Sequence, residues 1–266
     1  MKKILSSAVL LGVVVAGVSA GTLAYFDDTE VSANNTFVAG QIDLEVGHQA
    51  WVDQGAGYVA DTAGTWGVQD LTASQIFFNF DDVKPGDSGY GYATLQVSDN
   101  PSWVCSNIEL TASDDDAVND AESADEDTTA GDWNGELDDQ LNFFFWNDDG
   151  DGVYEAGESV VMPPTTLNNL PQGAGNGGQT FDLVDSTTHV FGGTVGTPFT
   201  PAPGAEYLGQ AWCFGTMTVD AVNGGFTCSG VATNNVAQGD DVVGDITFYA
   251  VQSRHNENFE CSTWTP

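Results

Sequence analysis

Apolar and polar side chains alternate with period two in several strand-length stretches of this chain, and that pattern constrains it to an all-β fold. Gln41-Ile42-Asp43-Leu44-Glu45-Val46 is the cleanest case, with Ile42, Leu44 and Val46 on one face and Gln41, Asp43 and Glu45 on the other. Residues 76–80, 90–97, 103–110, 141–146, 211–219 and 245–251 are further strand candidates, and 181–184 is a shorter one. Between the second and third of these, Lys84-Pro85-Gly86-Asp87 places Pro and Gly at the two central positions of a type II turn. No long amphipathic helix is visible; a short helical turn fits residues 135–141. Seven or more strands joined by Gly and Pro turns predict a two-sheet β-sandwich, jelly-roll-like, with long acidic and Gly/Pro-rich loops. The longest loop, 113–140, holds twelve acidic residues and no basic one, a composition that reads as a solvated insertion. Residues 171–204, rich in Gly, Pro and Thr, form a second loop-like region.

Ahead of the first strand, Lys2 and Lys3 precede an apolar run from Ile4 to Ala20, the pattern of an export leader. Small residues permit cleavage after Ala20 or after Ala24, and spacing does not choose between them. The uncharged stretch from Ile4 to Phe26 is also long enough to serve as an uncleaved anchor. The expected organisation is a signal peptide over 1–24 followed by one β-sandwich domain over 25–266, extracellular or at the cell surface, with no membrane association after cleavage.

The exported part carries 39 acidic residues against only Lys84 and Arg254, a net charge of −37. Nucleic acid is excluded as a partner, because the cations that would neutralise phosphates are missing. Self-repulsion on this scale calls for bound divalent cations, high ionic strength, or both. Four cysteines in an exported chain predict two disulfides. Cys213 and Cys228 flank two neighbouring strand candidates and are expected to pair, which leaves Cys105 for Cys261.

The sharpest local signal runs from Asn147 to Glu158, NDDGDGVYEAGE. Set against a twelve-residue calcium loop, it places Asn147, Asp149 and Asp151 at positions one, three and five and Gly152 at six. The carbonyl of Val153 then stands at seven, Glu155 at nine and Glu158 at twelve. Calcium takes six to eight oxygens, which is why such a loop crowds them. The flanking segments read as strands, so the expectation is a calcium loop on a β scaffold, with calcium as the cofactor. Catalytic signatures are scarce: His48, His189 and His255 stand apart and read as scattered surface residues, no zinc-type histidine pair occurs, and no serine sits in a nucleophile elbow. No catalytic residue is assigned.

Tyr25-Phe26-Asp27-Asp28 places two aromatics beside the second cleavage point. Exposed aromatics at a free terminus are costly. They are buried either as an ordinary first strand of the same sandwich or by adding to an open sheet edge of a neighbouring copy, which generates a filament.

At this point a resemblance enters. The block GTLAYFDDTE (21–30) followed by NTFVAGQIDL (35–44) resembles the leader and first strand of the TasA/camelysin family of biofilm matrix fibre proteins, whose SipW-type leaders are cut by a dedicated signal peptidase; the turn at 84–88 is similar to that family's PGD turn. The resemblance implies a jelly-roll sandwich, cleavage between Ala24 and Tyr25, and self-assembly into extracellular fibres by donor-strand exchange through Tyr25, Phe26, Asp27 and Asp28. The chain departs from the family in its near lack of basic residues, its four cysteines and its calcium-type loop. The alternatives that stay open are a camelysin-like secreted metallopeptidase and a monomeric calcium-dependent surface adhesin.

Overall fold

The computed structural model describes residues 41–170, 178–200 and 204–266. The leader, the boundary between Ala24 and Tyr25, and the segment Tyr25, Phe26, Asp27 and Asp28 lie outside the described residues. The rest is an all-β sandwich. Its larger sheet runs β1 (Asp43–Asp53), β4 (Ser88–Ser98), β9 (Glu206–Phe214), β6 (Leu141–Asp148) and β7 (Val160–Thr166), with the short β2 (Val59–Ala60) and β3 (Trp66–Gln69) on the outer side of β1. The smaller sheet runs β12 (Asp240–Gln252), β5 (Ser102–Asp115) and β8 (Gln179–Val184). A hairpin of β10 (Thr216–Val219) and β11 (Phe226–Ser229) stands apart. Every pairing is antiparallel. The chain passes back and forth between the sheets, from β4 to β5 to β6 and from β7 to β8 to β9, so each sheet is built from segments distant in sequence.

The alternation of the first strand does what it implies: Val46 is buried in the core between the sheets and Ile42 and Leu44 pack against it. β6 departs from alternation for a physical reason. Phe143 and Phe145 fill the core between the sheets, while Phe144 and Trp146 enter a second cluster with Tyr154, Ala211 and Met217 on the outer face. A strand covered on both faces reads as a continuous apolar run. The Pro85–Gly86 turn closes with the Asp87 N–H donating to the Lys84 carbonyl at 2.8 Å, and Gly86 supplies the positive φ of 98° that a type II turn requires.

Four expectations need correction. Residues 76–80 form no strand: Phe78 packs on Phe143 and Phe80 on Trp212, at 5.1 and 4.7 Å between ring centroids, so the run fills space between the sheets without joining either. Residues 211–219 are two strands, broken at Gly215, whose φ is 134°. The acidic stretch 113–140 is folded: β5 extends to Asp115, and helices α1 (Asp120–Ala124) and α2 (Leu137–Gln140) follow. Asn119 caps α1, its side chain accepting from the Ala121 and Glu122 N–H groups while the Glu122 carboxylate accepts from the Asn119 N–H, the reciprocal box that a short helix needs.

The fourth correction concerns His48, which is a core residue, 1% exposed. Its Nδ1 meets the Gly64 carbonyl, its Nε2 meets the Gln210 side-chain amide, and its ring lies 4.7 Å from that of Phe77. Burial holds its pKa down at about 4, from an ordinary 6.5, against the opposing hydrogen bond to Gly64. Between those values the unfolded chain binds a proton that the folded one does not, so this site's contribution is complete above pH 6.5 and is lost as pH falls toward 4. Comparing urea melts of wild type and His48→Gln from pH 7 to 4 should show the variant gaining relative stability as pH falls, on the order of 3 kcal/mol across the window. Parallel curves would mean that His48 is not held neutral.

Two disulfides join Cys105 to Cys261 and Cys213 to Cys228. Three strands of the small sheet face seven of the large one, and a cleft of about 1130 Å³ opens between them. Phe78, Leu110, Phe143, Met162, Trp212 and Ile246 line it. β12 borders this cleft and, among the described residues, is hydrogen-bonded along one side only, to β5.

Candidate metal centre

The loop between β6 and β7 begins where the outer aromatic face ends. The Asn147 N–H donates to the Ser159 carbonyl at 2.8 Å and closes its neck. Tyr154, inside the loop, packs edge-on against Phe144 at 5.1 Å, and its carbonyl accepts from the Gly225 N–H at 2.5 Å, tying the loop to the β10–β11 connection. The acidic segment is therefore clamped at its ends and its middle. Gly152 takes φ of 78°, and a Cβ there would stand 3.3 Å from the Tyr92 ring. A glycine is demanded at this place, position six of a calcium loop, for the sharp turn.

The structure gathers five carboxylates here in two overlapping groups. One oxygen from each of Asp148, Asp149 and Asp151 lies within 4.8 Å of the others, and the same holds for Asp149, Glu155 and Glu158. Asp149 is common to both. Oxygens bound to calcium at 2.3–2.6 Å are separated by at most about 5 Å, so the spacing fits that ion. Local hydrogen bonds hold the acids in place: Asp148 accepts from the Gly150 and Gly152 N–H groups and from the Trp146 ring N–H at 2.9–3.1 Å, Asp151 from the Val153 N–H at 2.8 Å, and Glu158 from the Glu155 N–H at 2.7 Å.

Such crowding resists ionisation. Desolvation, reinforced by the charges of Glu155 and Asp148, pushes the Glu158 carboxyl up to about 7 against its hydrogen bond from Glu155. Glu155 is raised by burial and then by Asp151, and Asp148 is raised by burial in spite of its hydrogen bonds. The nearest remedy is a cation. Of the two basic side chains among the described residues, Lys84 pairs with Asp82 at 2.5 Å and Arg254 is exposed.

Of the residues named from the calcium-loop template, Asp149, Asp151, Glu155 and Glu158 come together. Asn147 remains in β6 opposite Leu208, and strand alternation sets it on the face opposite Asp148. Val153 contributes its N–H to Asp151 and leaves its side chain exposed. Asp148 was missed from sequence because the template register skips it; the only available signal was its position as the last residue of an aromatic strand. His189 and His255 enter none of the metal-sized groups found among the described residues, and both ring nitrogens of His48 are engaged.

Comparison with known proteins bears on the other end of the chain. Residues 1–56 match the family model of the camelysin metallo-endopeptidases. No curated protein matches the chain. The N-terminal block, through the end of β1, is thus similar to that of the camelysin family, over the same stretch that carries the resemblance; the loop from 148 to 158 lies beyond the match.

Proposed function

We propose that this chain is an exported structural subunit of an extracellular fibre, that it polymerises by donating its mature N-terminal segment to a neighbouring copy, and that the 148–158 loop holds a stabilising calcium ion. One observation carries the reading: the apolar cleft beside the one-sided strand β12. A sandwich with such a cleft has the dimensions and chemistry of a site for one more strand, whose backbone would pair with β12 and whose alternate side chains would fill the space between the sheets. Donor and acceptor are different surfaces of the same chain, so repetition runs on without closing and yields a filament.

Negative-stain electron microscopy of the chain starting at Tyr25, with and without millimolar calcium, tests this. Ordered filaments are expected, and monomers in both conditions would overturn the fibre reading. Asp148, Asp149, Asp151, Glu155 and Glu158 would hold the ion; the chemistry it supplies is neutralisation of charge, which fixes the loop against the outer face of β6. At a hundredfold excess over Kd, calcium should add about 2.7 kcal/mol, or roughly 5–10 °C in Tm for a domain of this size. Asp149→Ala combined with Glu158→Ala should shrink that rise by at least half when measured by differential scanning calorimetry. An undiminished rise would remove this loop from the account.

The family's description as metallo-endopeptidases favours one second reading, an exported metal-dependent peptidase. It predicts one zinc per chain and chelator-sensitive cleavage of casein. Zinc analysis of the purified chain alongside a casein assay separates the two.

A further inference from the structure

A second group of acids, in the stretch whose composition suggested a solvated loop, is buried more deeply than the first. Asp115 ends β5, Glu122 lies in α1, and Asp240 begins β12; one oxygen from each lies within 4.8 Å of the others. Glu136 stands beside them, near enough to feel the charges of all three and that of Asp127. Asp115, Glu122 and Asp127 are 2%, 0% and 9% exposed. Four of the five repeat one pattern. Asp115 accepts from the Ala117 N–H with Oδ1, Glu122 from the Asn119 N–H with Oε2, Asp127 from the Thr129 N–H with Oδ1, and Asp240 from the Glu136 and Leu137 N–H groups with Oδ2. In each, the other oxygen is buried and has no hydrogen-bond partner among the described residues, and the same is true of Glu136 Oε2.

Buried carboxylate oxygens without partners are too costly to persist. The backbone bonds fix each acid so that one oxygen remains free, which is the arrangement of a ligand set awaiting a hard cation. From this geometry we infer that Asp115, Glu122, Asp127, Glu136 and Asp240 form a second calcium site, distinct from the 148–158 loop, that fastens the acidic insertion to the edge of the small sheet. Calcium suits it because it accepts six to eight oxygens at flexible angles, whereas magnesium demands a near-ideal octahedron. The electrostatics agree: Glu136 is pushed up to about 7, by burial first and then by Asp127, Asp240, Asp115 and Glu122, and Asp240 to about 6, again chiefly by burial. The ladder already joins β5 to β12, but α1 and the stretch that carries Asp127 and Glu136 lie outside it, so the ion would act as a clasp between them and the paired ends of these two strands.

The test is calcium binding by isothermal calorimetry in molar sodium chloride, which screens weak surface association, on chains stripped with chelator. The variant Asp149→Ala/Glu158→Ala, which disables the loop site, is expected to retain one tightly bound calcium per chain. Adding Glu122→Gln and Asp240→Asn, which keep the acceptors for the backbone N–H groups, should abolish it. If the added pair leaves binding unchanged, or if the loop variant already binds none, the second site is wrong. A readout needing no substitution at the site guards against misfolding: in the loop variant, calcium should slow proteolytic cutting between residues 116 and 139 at least tenfold, and equal cutting with and without calcium would also overturn the inference. Failure of the loop site shows separately, as a wild-type calcium count no higher than that of the loop variant.

Discussion

A chain lacking residues 25–35 is expected to fold, to remain monomeric, and to form no filaments under conditions in which the chain starting at Tyr25 does. The deletion lies wholly ahead of β1, which begins at Asp43, and takes nothing from either described hydrophobic cluster. What it removes is the proposed donor, with Tyr25 and Phe26, each worth about 1.5–3 kcal/mol when fully buried. The acceptor cleft stays intact, and this leads to a sharper expectation. Mixed with the full mature chain below equal stoichiometry, the truncated chain should cap growing ends, because it can receive a strand but cannot offer one. Filament length measured by electron microscopy should then fall in proportion to the amount added. Normal filaments formed by the truncated chain alone would end the donor-strand account.

The second large effect concerns the disulfides. Replacing Cys105 and Cys261 by alanine should cost about 5 kcal/mol, against about 3 for Cys213 and Cys228, because the first bridge spans 156 residues and the second 15. For a domain of this size the larger loss is roughly 10–20 °C in Tm, a large part of the stability that most domains possess. The bridge also anchors a small C-terminal assembly: the Cys261 N–H donates to Asp185 at 3.0 Å, and Trp264 stacks on Tyr249 of β12 at 4.9 Å. Calorimetry on the two double variants ranks them. If losing the short bridge proves the more damaging, chain entropy is not what the long one supplies.

Where physics acts locally, the sequence could be read directly. Ile42, Leu44 and Val46 alternate because one face of β1 is buried, and Pro85-Gly86 turns because of backbone geometry that two residues specify. The acidic cluster of the loop was legible to the extent that carboxylates repeat at fixed intervals, and so the gathering of Asp149, Asp151, Glu155 and Glu158 was expected while that of Asp148, defined by its burial beneath the loop, was not. Phe77 and Phe78 read as strand because an apolar run carries no mark of whether its backbone finds a partner. The stretch 113–140 misled for a different reason. Charge density argues for solvation, but Asp115, Glu122 and Asp138 are buried there, the first two held by backbone N–H groups and Asp138 hydrogen-bonded to Ser113 of β5. The one local cue was Asn119 three residues before Glu122, a capping box whose acid turned out to face inward.

The long disulfide has a mechanical meaning if the subunits are linked end to end. Load on a filament would enter each subunit through the strand seated against β12 and leave through the chain ahead of β1. Cys261 follows β12 and is covalently fixed to Cys105 on the neighbouring β5, so β12 cannot be peeled away from its C-terminal end. Loaded from that end, it could yield only by sliding lengthwise past β5, with the thirteen residue pairs of that ladder resisting together. Such a fibre would be stiff until it broke, and a reducing agent would turn it from one that shears into one that unzips.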